Sequence, residues 1–190
     1  DLDDVSLTPN QALQVQSEVE ETSFVDIDQI RNFISNLNYP LYYLDFETIS
    51  PAVPIYNNSR PYQQLVFQYS LHIQSSPGSE ITHKEYLADP KQDPRIGFVE
   101  QLITECGTYG DIIVYNIGFE KGKLKDLIEL FPQYSTQLTD IINRLKDLMI
   151  PFQQKWYYTP KMKGSYSIKY VLPALVPELS YNNLEIKEGE

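Results

Sequence analysis

The sequence predicts a mixed α/β fold: a central mixed sheet that opens with a three-stranded antiparallel meander, continues through helix, strand and helix, and is flanked by helices. Three observations carry this. Three β-rich runs, YPLYYLDFET, PYQQLVFQYSLHIQ and ITHKEYLA, follow one another with turn signals between them. From residue 93 to 132, helix-period segments then alternate with the short apolar run DIIVYN. With 190 residues, 42% hydrophobic and 13% aromatic, the chain can bury one sizeable core.

Taken in order, residues 1 to 24 are acidic and short of aromatics, and read as a flexible arm or linker remnant. The first residue is Asp1 rather than Met, so a segment of a longer polypeptide is expected, with a single domain over residues 25 to 190 that stops short of its natural C-terminus. DIDQIRNFISNL sets Ile30, Phe33, Ile34 and Leu37 at helical spacing behind Asp26 or Asp28 as cap. The three strands come next, with SSPGSE turning between the second and third. DPRIGFVEQLITECG begins with Asp93 as N-cap and Pro94 at the first helical position. It places apolar residues at 96, 99, 102, 103 and 106 and closes on Gly107. DIIVYN is a short buried strand, and FEKGKLKDLIELFP an amphipathic helix stopped by Pro132. YSTQLTDIINRLKDLMI starts with helical periodicity, and its RLKDLMI end suits a short fifth strand equally well. Beyond 151 a long Pro-, Tyr- and Lys-rich loop is expected, with one short helix near Ser167 to Leu175. No internal repeat is visible.

Composition narrows the function. No apolar stretch is long enough to span a bilayer and no basic-then-apolar leader is present, so a soluble cytoplasmic protein with no membrane partner is expected. The single Cys106 excludes an intramolecular disulfide and a Cys-rich zinc site, and reads as core packing. The net charge of −11 is unevenly spread. Residues 1 to 30 hold eight acids and no Lys or Arg, whereas residues 121 to 170 hold nine bases against four acids. That basic stretch has tyrosines and Trp156 among its lysines, a composition that suits single-stranded nucleic acid and equally a solvated face over core aromatics.

The chemistry concentrates in two places. In LYYLDFETIS, strand alternation projects Asp45 and Glu47 to the same side. Two adjacent carboxylates repel each other and lose hydration together, a conflict that a hard divalent cation resolves. Paired Mg²⁺ or Mn²⁺ ions about 4 Å apart are a standing arrangement for phosphodiester cleavage. The alternative is a strand end reaching solvent. In VYNIGFEKGKL, Asn116 can hold the turn after the buried strand by bonding its own backbone, and Glu120 falls in the first turn of the next helix. Carboxyl ends of neighbouring parallel strands converge, which would bring Glu120 to the DFET carboxylates as a third ligand.

These two motifs, YLDFET and VYNIGFEKGKL, resemble the first and second motifs of the DEDD exonuclease superfamily, whose fold is RNase H-like. The resemblance covers residues 38 to 190. DFET with RPYQQLVFQYSLH, YNIGFEKGKL and GSYSIKYVLPALVPELSY are together similar to an uncharacterised bacterial domain family assigned to that superfamily, often found downstream of another nuclease-like module. The resemblance implies a two-metal nuclease, a 3′-to-5′ exonuclease acting on single-stranded DNA or RNA, with two Mg²⁺ or Mn²⁺ ions as cofactors and a second nuclease-like module as partner in the full-length chain. Asp45 and Glu47 match the first-motif ligands, Glu120 stands where the superfamily has Asp, and Asn116 matches the second-motif asparagine. The superfamily's fourth acid follows a His or Tyr general base in a helix. SYSIKYVLPAL resembles the segment before it, so that acid is expected near or beyond residue 190. Glu185, Glu188 and Glu190 are weak substitutes, Asp147 fits the end of the fifth strand better, and Asp140 is weaker still.

Around this core, Arg60, Tyr62 and Gln64 could hold a phosphate near the metals or simply pack at a strand entry, and Lys169 could neutralise a phosphate or stay solvated. His72 and His83 have no partner spacing and read as strand residues. Two rivals remain: a degenerate nucleic-acid or protein-binding module on the same fold, and a glycoside hydrolase using Asp45 and Glu47. The second is disfavoured, because two carboxyls on one strand two residues apart cannot straddle a sugar bond.

Overall fold

A computed structural model describes residues 6–179 of the chain. In chain order the elements are α1 (Pro9–Glu20), β1 (Phe24–Val25), α2 (Ile27–Ser35), β2 (Leu41–Ile49), β3 (Leu65–Gln74), β4 (Ile81–Leu87), α3 (Pro94–Cys106), β5 (Asp111–Val114), α4 (Ile117–Leu130), α5 (Ser135–Arg144), β6 (Leu145–Asp147), α6 (Ile150–Gln153), β7 (Tyr157–Tyr158) and α7 (Ile168–Leu175). They form two compact units. The residues up to Asn36 join those from Met149 onward in one, and Leu37–Leu148 form the other. The chain returns from its central segment to the unit begun before it. Among the described residues no helix is long and apolar enough to cross a membrane.

The central unit is α/β, built on a five-stranded mixed sheet of order β4-β3-β2-β5-β6. β2, β3 and β4 are antiparallel neighbours, and β5 and β6 run parallel to β2. A two-residue hairpin could not carry the chain from β4 to the far side of β2, so it makes a helical crossover through α3. One face of the sheet carries Tyr42, Leu44 and Phe46 from β2, Tyr69 and Leu71 from β3, and Ile112 and Val114 from β5. Against it pack Phe98, Val99 and Leu102 of α3, Leu124 and Leu127 of α4, and Leu138 and Ile141 of α5.

The buried stripe of α3 is displaced from the expected one. Phe98 is fully buried and Ile96 is exposed, because the ring of Phe98 fills the space between three aromatic neighbours. It meets Phe46, Tyr69 and Tyr86 edge-on at centroid distances of 5.0, 5.3 and 5.7 Å. Tyr69 also donates its hydroxyl to Glu105 Oε2 at 2.7 Å. Tyr69→Phe is expected to cost about 1 kcal/mol by loss of that bond, read as a lower denaturant midpoint with an unchanged slope.

The C-terminal end of α3 is closed from a distance. Arg144, at the end of α5, donates Nη1 to the carbonyls of Cys106, Tyr109 and Gly110 and Nη2 to that of Gly107, while its Nε bonds Asp140. One guanidinium thus satisfies carbonyls that a helix end leaves unpaired. Gly110 has φ +88°, and a side chain there would run into the carbonyl of Pro40, so glycine is required on both counts. Cys106 is buried in the core as expected, and burial pushes its thiol up to about 12.

In the other unit, the expected flexible arm over residues 1 to 24 holds a helix in its described part, and residues 1–5 lie outside the described residues. Pro9–Glu20 is a helix with Thr8 as N-cap, Pro9 in the first turn and a reciprocal capping box with Gln11. Those local signals outweigh an acidic composition. The region beyond 151 likewise holds more than a loop: α6, β7 and a short helical turn at Pro160–Met162 precede α7, which falls where a helix is expected. Tyr158, Met162 and Val171 make its core, with Leu13 and Phe152 packed against them. β1 and β7 pair antiparallel, Phe24 opposite Tyr158. The hydroxyl of Tyr158 donates to Glu18 and accepts from the backbone N–H of Gly164.

Candidate active site

β2 places the first two carboxylates. Its alternation buries Leu44 and Phe46 and leaves Asp45 and Glu47 on the exposed side, which is the geometry the sequence predicts. Pairing with β5 stops at Tyr43 opposite Ile113, so Asp45 and Glu47 lie on the part of β2 that runs past the carboxyl end of β5. On the other side the register with β3 shifts between Glu47 and Thr48, a bulge of the kind that turns side chains at strand ends.

α4 begins where β5 ends. Asn116, the residue before it, adopts a left-handed backbone with φ +74° and makes no side-chain cap, contrary to the expectation that it holds the turn itself. The cap comes from the neighbouring strand. Asp147, the last residue of β6, accepts the backbone N–H of Asn116 at Oδ1 (3.0 Å) and that of Ile117 at Oδ2 (3.1 Å). β6 thus supplies the fifth strand, and Asp147 takes the structural part that its position at a strand end suggests. Removing this carboxylate strands two N–H groups at a buried helix start. Asp147→Ala is expected to cost about 1–2 kcal/mol in chemical denaturation.

Glu120 follows one turn into α4. The stripe Glu120, Leu124 and Leu127 faces the core, so a carboxyl group sits where an apolar side chain would be expected; it is 2% exposed. Its Oε2 has no hydrogen-bond partner among the described residues. Burial is the main cause that pushes Glu120 up to about 7; its own backbone N–H opposes the shift, and the charges of Asp45 and Asp147 add to it. Burial also raises Asp45, with the Phe46 backbone opposing, although its position on the strand is exposed: surrounding protein removes part of its hydration. Burial and then the charge of Asp45 raise Glu47. Glu120 is the most deeply buried of the three.

The structure therefore brings Asp45 within electrostatic reach of both Glu47 and Glu120. Among the described residues, no three Asp, Glu, His or Cys side chains are drawn together as a formed ligand set. The donor chemistry nevertheless suits a hard cation, because Glu120 keeps a buried, unpartnered oxygen beside other carboxylates. Lys169 lies in α7, in the other unit, and Glu185, Glu188 and Glu190 lie outside the described residues. Asp140 is occupied by Arg144. Arg60, Tyr62 and Gln64 lie on the chain between β2 and β3; Tyr62 is exposed with φ +58°.

The basic stretch is divided between the two units, and much of it is engaged locally. Arg144 closes α3, Lys123 pairs with Asp126 at 2.8 Å, and Lys155 lies 4.2 Å over the ring of Tyr158. Sequence reasoning misses several polar residues that shape the central unit. His72 and His83 come to lie side by side on β3 and β4, exposed and stacked at 4.4 Å, which only the strand register reveals. Asp111 is buried and accepts the backbone N–H of Asn38, and Arg95 is buried beside Asp93. The one available signal is the DPR triplet, with an acid two residues before an arginine at a helix start.

Residues 42–167 match the family described as "Domain of unknown function (DUF2779)". That span contains Asp45, Glu47, Asn116 and Glu120 and ends before Lys169. An uncharacterized protein of Ureaplasma parvum is 29% identical over 167 residues, covering 77% of this chain and 24% of that protein. One of Mycoplasma genitalium is 26% identical over 188 residues, 90% of this chain and 28% of that protein. A homolog of the latter in Mycoplasma pneumoniae is 29% identical over 166 residues, 78% and 25% respectively. The chain thus spans about a quarter of the length of the curated relatives it matches. No solved structure matches it significantly.

Proposed function

This chain belongs to the DUF2779 family, and from the geometry of its carboxylates we propose that it is a metal-dependent nuclease domain of RNase H-like fold, a 3′-to-5′ exonuclease on single-stranded DNA or RNA. One observation carries the reading: Glu120 is a buried carboxyl with an unpartnered oxygen, beside Asp45, at the carboxyl end of β5. A stabilising packing role would call for an apolar residue at that point of the stripe. A cation-binding role explains why the chain accepts the desolvation of Glu120 and the repulsion of its neighbours. The antiparallel meander followed by a parallel crossover supports the same fold reading.

Asp45, Glu47 and Glu120 would hold the ions, Mg²⁺ or Mn²⁺. When bound, such ions supply positive charge to the scissile phosphodiester and acidify water. The chain's own part is to present three carboxylates on two rigid elements. β2 fixes two of them by alternation, and Asp147 fixes the start of α4 so that Glu120 stays in place. Glu120 must give up a proton to serve as ligand, so affinity for the ion should fall as pH drops below about 7.

The test is calorimetric titration of Mn²⁺ into the protein and into Asp45→Ala, followed by incubation with end-labelled single-stranded DNA and RNA with and without chelator. Saturable binding lost in the variant, with metal-dependent shortening of a strand, is the expected result. Binding without shortening would assign the domain to nucleic-acid or protein binding instead. No binding at all would leave Asp45 and Glu47 as a solvated strand end and end the reading.

A further inference from the structure

A separate cleft of about 290 Å³ opens in the central unit between the chain that enters β3, the first turn of α3 and the outer turns of α4. Its floor is apolar, made by the buried Leu65, Val66 and Leu127. Its rim is rich in hydrogen-bond donors: Arg60, Arg95 and Lys123 all line it.

Arg95 is the unusual member. It is 4% exposed, and a buried guanidinium normally spends all five N–H groups on partners. Here Nε and Nη2 form a two-pronged pair with the Asp93 carboxylate at 2.8 and 2.6 Å, and Nη2 also donates to the carbonyl of Asn57. Tyr56 supports the group from one side, its ring centroid 5.8 Å away. Nη1 is buried and has no partner among the described residues. The Arg60 side chain makes no hydrogen bond or ion pair among the described residues either; its backbone alone is engaged, the N–H donating to Gln63 Oε1 and the carbonyl accepting from the Gln63 N–H.

The nearby acids are already accounted for. Asp93 is taken by Arg95, and Asp126 is held by Lys123 Nζ at 2.8 Å, which leaves Glu129 as the remaining acid of the lining. With Asp93 counted, the charges of the lining thus balance, and what remains over the apolar walls is a set of unpartnered donors, Arg95 Nη1 and the Arg60 guanidinium. A tetrahedral oxyanion answers those donors with three acceptor oxygens, whereas a cation offers them no acceptor and a neutral ring would leave Arg95 Nη1 unpaired.

We propose that this cleft is a phosphate-binding subsite that takes the phosphate group of a nucleotide, with Arg60, Arg95 and Lys123 as donors. It uses none of the three carboxylates, so it stands independently of the nuclease reading.

The experiment is a titration of inorganic phosphate, adenosine 5′-monophosphate and adenosine into the protein, in chelator, by calorimetry or NMR chemical shift. Phosphate and the nucleotide are expected to bind saturably and adenosine not at all. Arg95 also anchors Asp93 and the Asn57 carbonyl, so Arg60→Ala and Lys123→Ala carry the test; each should weaken nucleotide binding roughly tenfold. Asp45→Asn should leave it unchanged, which separates failure here from failure of the metal site. Absence of saturation by either phosphate ligand, equal binding of adenosine, or unchanged affinity in both cleft variants would overturn the proposal.

Discussion

Asp45→Asn is expected to lower metal-dependent strand cleavage by roughly a thousandfold, the consequence of losing ~4 kcal/mol of transition-state stabilisation. The substitution keeps the size of the side chain and removes its charge. Because Asp45 sits on the exposed side of β2 while Leu44 and Phe46 hold the strand in the core, the fold should be unaffected. Neutralising Asp45 also relieves its desolvation and its repulsion of Glu47 and Glu120, so thermal unfolding in chelator is predicted at or above the parent's temperature, while the ion-dependent readouts are lost. A variant that binds metal normally and cleaves normally would remove Asp45 from the site and with it the geometric argument for Glu120.

Glu120→Gln is expected to show its effect in the pH dependence of stability. Glu120 has a folded-state value of about 7 against 4.5 for the free side chain. Below pH 4.5 both the folded and unfolded states hold the proton, and the residue is neutral in each. Between 4.5 and 7 the unfolded chain releases it while the folded chain keeps it, so stability falls as pH rises through this window. Above 7 the full penalty is present, about 3 kcal/mol for a carboxyl raised this far by burial. The amide carries no such penalty. In chelator, Glu120→Gln should thus gain about 2–3 kcal/mol relative to the parent on going from about pH 5 to about pH 8, or about 4–12 °C in Tm. The comparison between two pH values is the readout, since any cost of burying the amide is common to both. Adding Mn²⁺ at the higher pH should raise the Tm of the parent and leave that of the variant in place. A gain independent of pH would mean that Glu120 ionises in the folded protein as it does in the unfolded chain, and that burial does not raise it.

Much of the central unit was legible because its signals are local. Alternation in YPLYYLDFET marks β2 and puts Asp45 and Glu47 on one side, and Asp93 with Pro94 marks the start of α3. RLKDLMI remained open between helix and strand, since three residues are too few to show a period; pairing of Ile113 with Lys146 decides it. What stayed hidden depends on residues far apart in sequence. Asp147 capping α4, Arg144 closing α3 and the unpaired arm of Arg95 all arise from contacts that no periodicity encodes. Glu120 could be named as a first-turn acid, but its burial follows from how α4 lies on the sheet. The amino-terminal helix was missed for a different reason: composition over residues 1 to 24 argued for disorder, and the capping box at Thr8 and Gln11 is a stronger signal than that average.

The pairing of β1 with β7 has a consequence for the order of folding. These two strands belong to one unit yet come from either side of Leu37–Leu148, and Phe24 must find Tyr158 across that whole excursion. In an unfolded chain, closing a loop of this size costs roughly 4 kcal/mol, more than two pairs of residues return. The central unit lowers that cost when it folds, because both of its ends are tied to the same short strand. Asn38 accepts the N–H of Asp111 at the start of β5, and Leu148 donates to Val114 at its end, about 10 Å further on. The excursion is then a compact body with neighbouring ends rather than a long tether. Refolding should accordingly show the Phe98 cluster forming before Trp156, in the other unit, acquires its native fluorescence.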